Sequence, residues 1–264
     1  MFADSLMCFT SDINMLQKLR QKFNALRLNY QSARRKVRLS RTIPREMVSH
    51  LDPTTDIQSK WYGSSYGGFF IIPTLLQSSS IVYSFGIGKD ISFDEKVINE
   101  HGCNIYAFDP TPNSIKWIAG QKLSPLFQFH PYGISVHTGV ATFYLPANPK
   151  YVSGSLNQDN TTPENVAVEV QMQSLNDICQ KFGHTHIDVL KMDIEGAEYD
   201  VLENILSLPI TIDQICVEFH DRNTTSSLPK SKATTALLKQ YGYEIYAASI
   251  SFEEVSFVHK RKLK

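Results

Sequence analysis

The chain has 264 residues, 42% of them hydrophobic and 11% aromatic, and its 26 bases balance its 26 acids, a composition that supplies one sizeable core and excludes a collagenous, low-complexity or disordered protein. No apolar run approaches the roughly 18 to 20 residues of a membrane-spanning helix. Cys8, Cys103, Cys179 and Cys216 show no Cys-x-x-Cys spacing and MFADSLMCFTSD lacks the pattern of a secretory signal, so reduced thiols and a cytoplasmic location are expected.

Charge is unevenly placed. The first 45 residues hold ten bases and two acids, a net of +8, which leaves −8 on the remainder; Lys18 to Arg45 contains no acid, and the chain closes on KRKLK. Within this segment Ile13, Leu16, Leu19, Phe23, Leu26 and Tyr30 recur every three or four residues. That spacing makes one apolar stripe and predicts a helix from about Ile13 to Tyr30. Residues 13–45 so arranged suit a membrane surface or an anionic partner. They equally suit a helix docked by its stripe on the acidic body. Nucleic acid is not an expected partner, because no reading motif is present and an acidic body repels phosphate. Residues 1–59 are read as a basic helical extension and 60–264 as the main domain.

From residue 60 strands and helices alternate. Trp61 to Pro73 reads as a glycine-rich turn running into a short aromatic strand, Ile81 to Phe85 as a buried strand, and Ser92 to His101 as a helix stopped by Gly102. Asn104 to Asp109 is a second strand, before a helix capped by Thr111 with Pro112 at its first position. Phe127 to His130 is a third. Gly139 to Leu145 and Asn165 to Gln171 alternate like partly exposed strands around the polar loop Asn148 to Glu164. Ser174 to Asp177 opens a helix as a capping box. Strand Ile187 to Lys191, helix Gly196 to Leu206, strand Ile212 to Phe219, helix Lys232 to Tyr241 and strands Tyr243 to Ala248 and Val255 to His259 follow. Such alternation predicts an α/β fold with a mostly parallel sheet, helices on both faces and a C-terminal antiparallel hairpin.

In a sheet of this kind ligands sit beyond the carboxyl ends of the strands. There the chain reads Ser84-Phe-Gly86-Ile-Gly88-Lys-Asp90, two glycines that let the backbone approach a ligand beside a helix N-terminus. The second strand ends in Asp109, about twenty residues on, where a carboxylate accepts both hydroxyls of a ribose. A nicotinamide dinucleotide and S-adenosylmethionine both fit this geometry. Ile91 stands where a dinucleotide site prefers a third glycine, which disfavours the former.

Asp188 to Leu202 reads DVLKMDIEGAEYDVL, with Asp193 where a parallel strand faces a transferring group. This string resembles the FkbM-type S-adenosylmethionine-dependent methyltransferases, whose hallmark is Lys-hydrophobic-Asp-hydrophobic-Glu-Gly-Ala-Glu followed by a strand ending in Glu-hydrophobic-His. Here the second part is Glu218-Phe219-His220. Phe108-Asp-Pro110 and Gln173-Ser-Leu-Asn-Asp177 also match, and the resemblance covers about Trp61 to His259. Tyr-Ser-Phe-Gly-Ile-Gly and Tyr-Gly-Gly bring it nearest to the animal methyltransferase-like branch. The resemblance implies a Rossmann-like class I fold with a seven-stranded sheet, S-adenosyl-L-methionine as cofactor, and O-methylation of a small-molecule or sugar hydroxyl. It carries cofactor contacts onto Ser84, Gly86, Gly88, Asp90, Asp109 and Asp193. At Ser84 the family usually has an acid, so a weaker cofactor grip, or a shift of that role to Asp90, is implied.

An alcohol acceptor must lose its proton during transfer, which calls for a base within hydrogen-bond reach. Asp193 and His220 are the candidates, with His220 expected as a neutral imidazole of pKa about 6.5. Glu195, Glu198 and Glu218 are expected beside the substrate or behind the reacting groups. Asp193, Glu195, Glu218 and His220 are also hard-ligand types for a divalent cation, but favourable placement at a helix N-terminus accounts for Glu195 and Glu198, and no metal is expected. The alternative is a binding protein that keeps the fold, has lost turnover through Ser84, and is tethered by its basic helix. Every expected site residue lies beyond residue 45, so that helix is expected to stand apart from catalysis.

Overall fold

The computed structural model describes residues 23, 24, 26–145, 166–221 and 229–263. A helix, α1, covers 26–42, followed by the single turn α2 (Arg45–Val48). β1 (Lys60–Tyr62) and β2 (Phe69–Ile71) pair as an antiparallel hairpin. The body then alternates β3 (Ile81–Phe85), α3 (Ser92–His101), β4 (Asn104–Phe108), α4 (Pro112–Ile118) and β5 (Phe127–His130). After β6 (Gly133–Ile134), β7 (Gly139–Leu145) and β8 (Val166–Gln173), the alternation resumes with α5 (Leu175–Phe182), β9 (His186–Met192), α6 (Glu198–Leu206), β10 (Thr211–Glu218) and α7 (Lys230–Gln240). β11 (Tyr243–Ala248) and β12 (Glu254–His259) end the main sheet.

Local chemistry sets these boundaries. The Thr111 hydroxyl accepts from the Ser114 amide, with Pro112 at the first helical position, and the Ser174 hydroxyl accepts from the Asp177 amide. α3 and α5 stop where Gly102 and Gly183 take left-handed conformations. The expected loop Asn148 to Glu164 lies outside the described residues.

Seven strands form the central sheet in the order β11-β12-β10-β9-β3-β4-β5. β10, β9, β3, β4 and β5 run parallel, and β12 lies antiparallel to both β10 and β11. This is the expected sheet with its terminal hairpin. β7 and β8 stay out of it: they pair with each other and, with β6, make a separate three-stranded sheet. Their alternation supplies one apolar face, Phe143, Val170 and Met172, whereas a central strand must be apolar on both. β3 meets that demand, with Tyr83 and Phe85 packed among Leu202, Ile205 and Leu238 and Val82 among Phe93, Val97 and Ile98.

α1 differs from expectation. Residues 13–22 lie outside the described residues, and the helix continues past Tyr30 to residue 42. Phe23, Leu26 and Tyr30 do not dock; they are 64–68% exposed. The inward face instead presents Ser32 and Lys36, both buried. Lys36 pairs with Glu254 and lies 5.1 Å from the Trp61 ring centroid, and Arg35 pairs with Glu253. Charge, rather than the apolar stripe, fixes α1 to the body.

Strand register brings Phe85, Phe108, Met192 and Val217 to one edge of the sheet. After β3 the chain proceeds through β4 and β5 on one side and returns as β9 and β10 on the other. The carboxyl ends of β3 and β9 therefore flank a crevice at the point where the strand order reverses. Leu190, wholly buried in β9, tests the packing beneath it: Leu190→Ala should cost about 2–5 kcal/mol in urea unfolding, and a loss under about 1 kcal/mol would show that face to be loosely packed.

Candidate functional site

The glycine turn after β3 is held from three sides. The Gly86 amide donates to the Phe108 carbonyl (2.9 Å), the Asp193 amide donates to the Phe85 carbonyl (3.1 Å), and the buried Lys191 ammonium donates to the Gly86 carbonyl (2.9 Å). Gly86 has φ +74°, and a Cβ there would lie 1.7 Å from the Asp193 carbonyl oxygen. Only glycine fits this approach. Gly88, at φ +53°, would place a Cβ in open space. Its amide donates to Asp109 Oδ2 at 2.8 Å.

Asp109 is 4% exposed, and its other oxygen accepts from the amide and hydroxyl of Thr111. It thus ties the glycine turn to the start of α4, leaving one acceptor position on Oδ2, since each carboxylate oxygen offers about two. Burial raises its pKa, opposed by those hydrogen bonds. Asp90 accepts from the Ser92 amide (2.8 Å) and the Ser64 hydroxyl (2.5 Å). The same hydroxyl accepts from the amides of Tyr66 and Gly67, so the loop between β1 and β2 is latched over the turn.

Together these residues form an open cleft, which Gly86, Gly88, Asp90, Asp109, Asp193 and Glu195 line. Ser84 does not reach it. Its side chain is fully buried beside Asp94, beneath the turn, because alternation along β3 sends Phe85 toward the opposite face. Asp94 is also wholly buried, and burial pushes it up to about 6 against the pull of Lys191.

A second, polar cavity adjoins the first, sharing Tyr66, Asp193 and Glu195 and adding Ser32, Arg35, Lys36, Glu218 and Glu254. α1 is therefore part of this cavity's wall, although every expected site residue lies beyond residue 45. Tyr66, Lys36 and the small-sheet residues Phe143 and Met172 were not expected here. The one signal for Lys36 was its place in an acid-free helix facing an acidic body.

His220 follows β10 and is 1% exposed. Its amide and Nδ1 both meet Glu198 Oε1, at 2.9 and 3.2 Å, while Glu198 Oε2 accepts from the Gly196 amide. Glu198 is fully buried behind the histidine. Nε2 looks toward Glu195 at 3.3 Å, Asp193 at 3.7 Å and Glu218 at 3.9 Å. Burial alone would lower this imidazole's pKa, but the Glu198 hydrogen bond and the charges of Glu198, Glu218 and Asp193 drive it up to about 10. His220 is thus charged at neutral pH, and the expectation of a neutral base with an ordinary pKa is corrected.

The Methyltransferase FkbM domain matches residues 81–245, from β3 into β11. The chain belongs to the FkbM methyltransferase family. That family uses S-adenosylmethionine as its methyl donor, as the DVLKMDIEGAE string implies. Probable methyltransferase-like protein 24 of Homo sapiens is 30% identical over 144 residues, 53% of this chain and 32% of the human protein. The Rattus norvegicus protein is 29% identical over 141 residues, with the same coverage. The chain spans about a third of the length of these relatives. The Methanococcus jannaschii fibrillarin pre-rRNA processing protein overlays with a TM-score of 0.41 at 12% identity, covering 73% of this chain and 70% of that one. Overlap at that level carries no weight here; the fold rests on strand order. No helix among the described residues is long and apolar enough to cross a membrane.

Two outcomes test this FkbM site. Gly86→Ala should destabilise the protein more than Gly88→Ala: the second pays only the left-handed strain of about 1–2 kcal/mol, while the first also pushes β3 from β9. Equal losses in thermal unfolding would contradict the close approach. Asp94 gives a pH signature. Its carboxyl ionises near 3.9 when unfolded but about 6 when folded, so the stability it contributes falls as pH rises between these values and is flat above. The difference between urea midpoints of wild type and Asp94→Asn should trace that fall; a difference independent of pH would show Asp94 ionised throughout.

Proposed function

We propose that this chain transfers a methyl group from S-adenosylmethionine to a hydroxyl oxygen of a small, polar acceptor such as a sugar. The observation that carries the reading is the meeting of two cavities at Asp193: a mixed pocket at the glycine turn, and a polar chamber walled by carboxylates and cations.

The residues present suit the donor. The turn at Gly86 and Gly88 leaves room for backbone approach, and the vacant acceptor position on Asp109 Oδ2 matches a ribose hydroxyl. Asp90 holds the turn at the N-terminus of α3. Ser84 lies outside the cavity, which removes the ground for supposing that it abolishes turnover.

Bound donor would supply a sulfonium methyl open to in-line attack by an acceptor oxygen, with the demethylated sulfide as leaving group. The chain's residues chiefly hold the acceptor at that methyl and exclude water. Asp193, at the rim of both cavities, accepts the hydrogen bond of the acceptor hydroxyl and takes up its proton as the C–O bond forms. Charged His220 cannot take up the proton released as the C–O bond forms; it holds the carboxylates of Asp193 and Glu195 in place. Lys36 and Arg35, fixed by Glu254 and Glu253, close the chamber.

Calorimetry with S-adenosylmethionine and its demethylated product, then a methyl-release assay over hydroxylated metabolites and sugars, tests the reading. Binding and turnover on a hydroxyl are expected. Turnover on amines alone would overturn the oxygen acceptor, and binding without turnover would favour a binding protein. Asp109→Ala should weaken donor binding by about 1.5–3 kcal/mol for each charge-assisted bond lost; an unchanged Kd in the folded variant would remove Asp109 from the ribose.

A further inference from the structure

We infer that the outward face of α1, with Phe23 in the turn before it, docks the protein on an anionic lipid surface. Two parallel rows make that face. Phe23, Tyr30 and Val37 recur every seven residues, and Arg27, Arg34 and Arg41 follow each of them by four, a spacing that sets every arginine beside its apolar neighbour one turn on. The Arg34 guanidinium carbon lies 5.8 Å from the Tyr30 ring centroid, so the rows touch. Leu26 widens the face on the apolar side and Arg38 on the cationic side.

Contacts on the opposite side of the helix turn this face outward. Asn29 Oδ1 accepts from the Ser65 amide (2.6 Å), the Ser32 hydroxyl donates to the Ser65 carbonyl (2.8 Å), and Lys36 meets Glu254. Positions 29, 32 and 36 share one stripe, and its docking leaves Phe23, Leu26, Tyr30 and Val37 in solvent. The acidic body does not neutralise the arginines beside them. Arg35 and Lys36 take Glu253 and Glu254, while Arg27, Arg34, Arg38 and Arg41 meet no carboxylate within 4.0 Å among the described residues. The large apolar residues exposed elsewhere, Tyr66, Val140, Tyr241 and Ile250, stand singly on separate elements, as scattered surface residues ordinarily do.

Apolar and cationic rows on one exposed face fit a partner that is negative at its surface and apolar just beneath. An anionic bilayer has that layering. The guanidinium fork meets headgroup phosphates with two parallel hydrogen bonds, and rings as large as those of Phe23 and Tyr30 reach the boundary with the acyl chains. A nucleic acid would take the charges and leave Leu26 and Val37 without a partner. Because the other side of α1 walls the polar chamber, docking sets that chamber about one helix diameter, roughly 10–12 Å, from the headgroups. Lipid docking does not depend on the methyl-transfer reading.

The test sediments the full chain with phosphatidylcholine vesicles, with and without phosphatidylserine, in the absence of S-adenosylmethionine so that failure of the methyl-transfer reading leaves the result readable. Binding to the phosphatidylserine vesicles alone is expected, weakening as salt rises. Arg34→Gln combined with Arg38→Gln should weaken it roughly thirtyfold, about fivefold for each charge removed at the surface, and Arg34→Lys with Arg38→Lys should retain most of it. Phe23→Ser combined with Tyr30→Ser should weaken it about tenfold. Lys239→Gln should leave it unchanged, since Lys239 is exposed at the end of α7, where β11 begins at the opposite edge of the sheet. Circular dichroism verifies each fold. No binding to either vesicle, equal binding to both, or binding unchanged by either paired substitution to Gln or Ser overturns the assignment. So does capture by poly-L-glutamate or single-stranded RNA under conditions that leave the vesicles bare, which would give the face to an acidic protein or a nucleic acid.

Discussion

The carboxyl edge depends on how closely β3 and β9 approach one another. Gly86 lies against the Asp193 carbonyl with no room for a side chain, and the two strands exchange contacts through the Asp193 amide and the Lys191 ammonium. One close backbone contact thereby sets the distance between the turn that walls one cavity and the carboxylates that wall the other. Lys191 is placed to brace it because it sits on the buried strand with its ammonium under the turn, near Asp94. The pair resides in the interior at the expense of desolvation, which is why Asp94 holds its proton so far above the ordinary range.

Most of the main sheet was legible from period and punctuation. Ser92 to His101 was bounded by its left-handed Gly102, and the helix after Thr111 by its cap and Pro112, because these signals act over a few residues. Elements whose placement is decided by distant partners were less so. The strands at 139–145 and 166–173 looked like further members of a sheet, and only their single apolar face explains why they form their own. In α1 the eye follows Phe23, Leu26 and Tyr30, while the face that docks is marked by Ser32 and Lys36, polar residues whose partners, the Ser65 carbonyl and Glu254, are distant in sequence.

The site residues divide in the same way. Position after a strand located Gly86, Asp109, Asp193 and His220, since strand ends in a parallel sheet share one edge. What each side chain does there depends on its neighbours. Ser84 points beneath the turn because of strand alternation, and His220 has lost its ordinary titration because four carboxylates surround it. A histidine's pKa is a property of its enclosure, which no local motif records.

The chamber wall joins the two ends of the chain: Arg35 and Lys36 from the first described helix meet Glu253 and Glu254 at the start of the last strand. During synthesis the ribosome releases α1 long before its partners exist, so the basic helix spends most of translation with its cations solvated. The enclosed chamber comes into being only when the final hairpin folds back. A chain cut short before β12 retains the glycine turn and Asp193 but lacks the partners that hold the basic helix beside them.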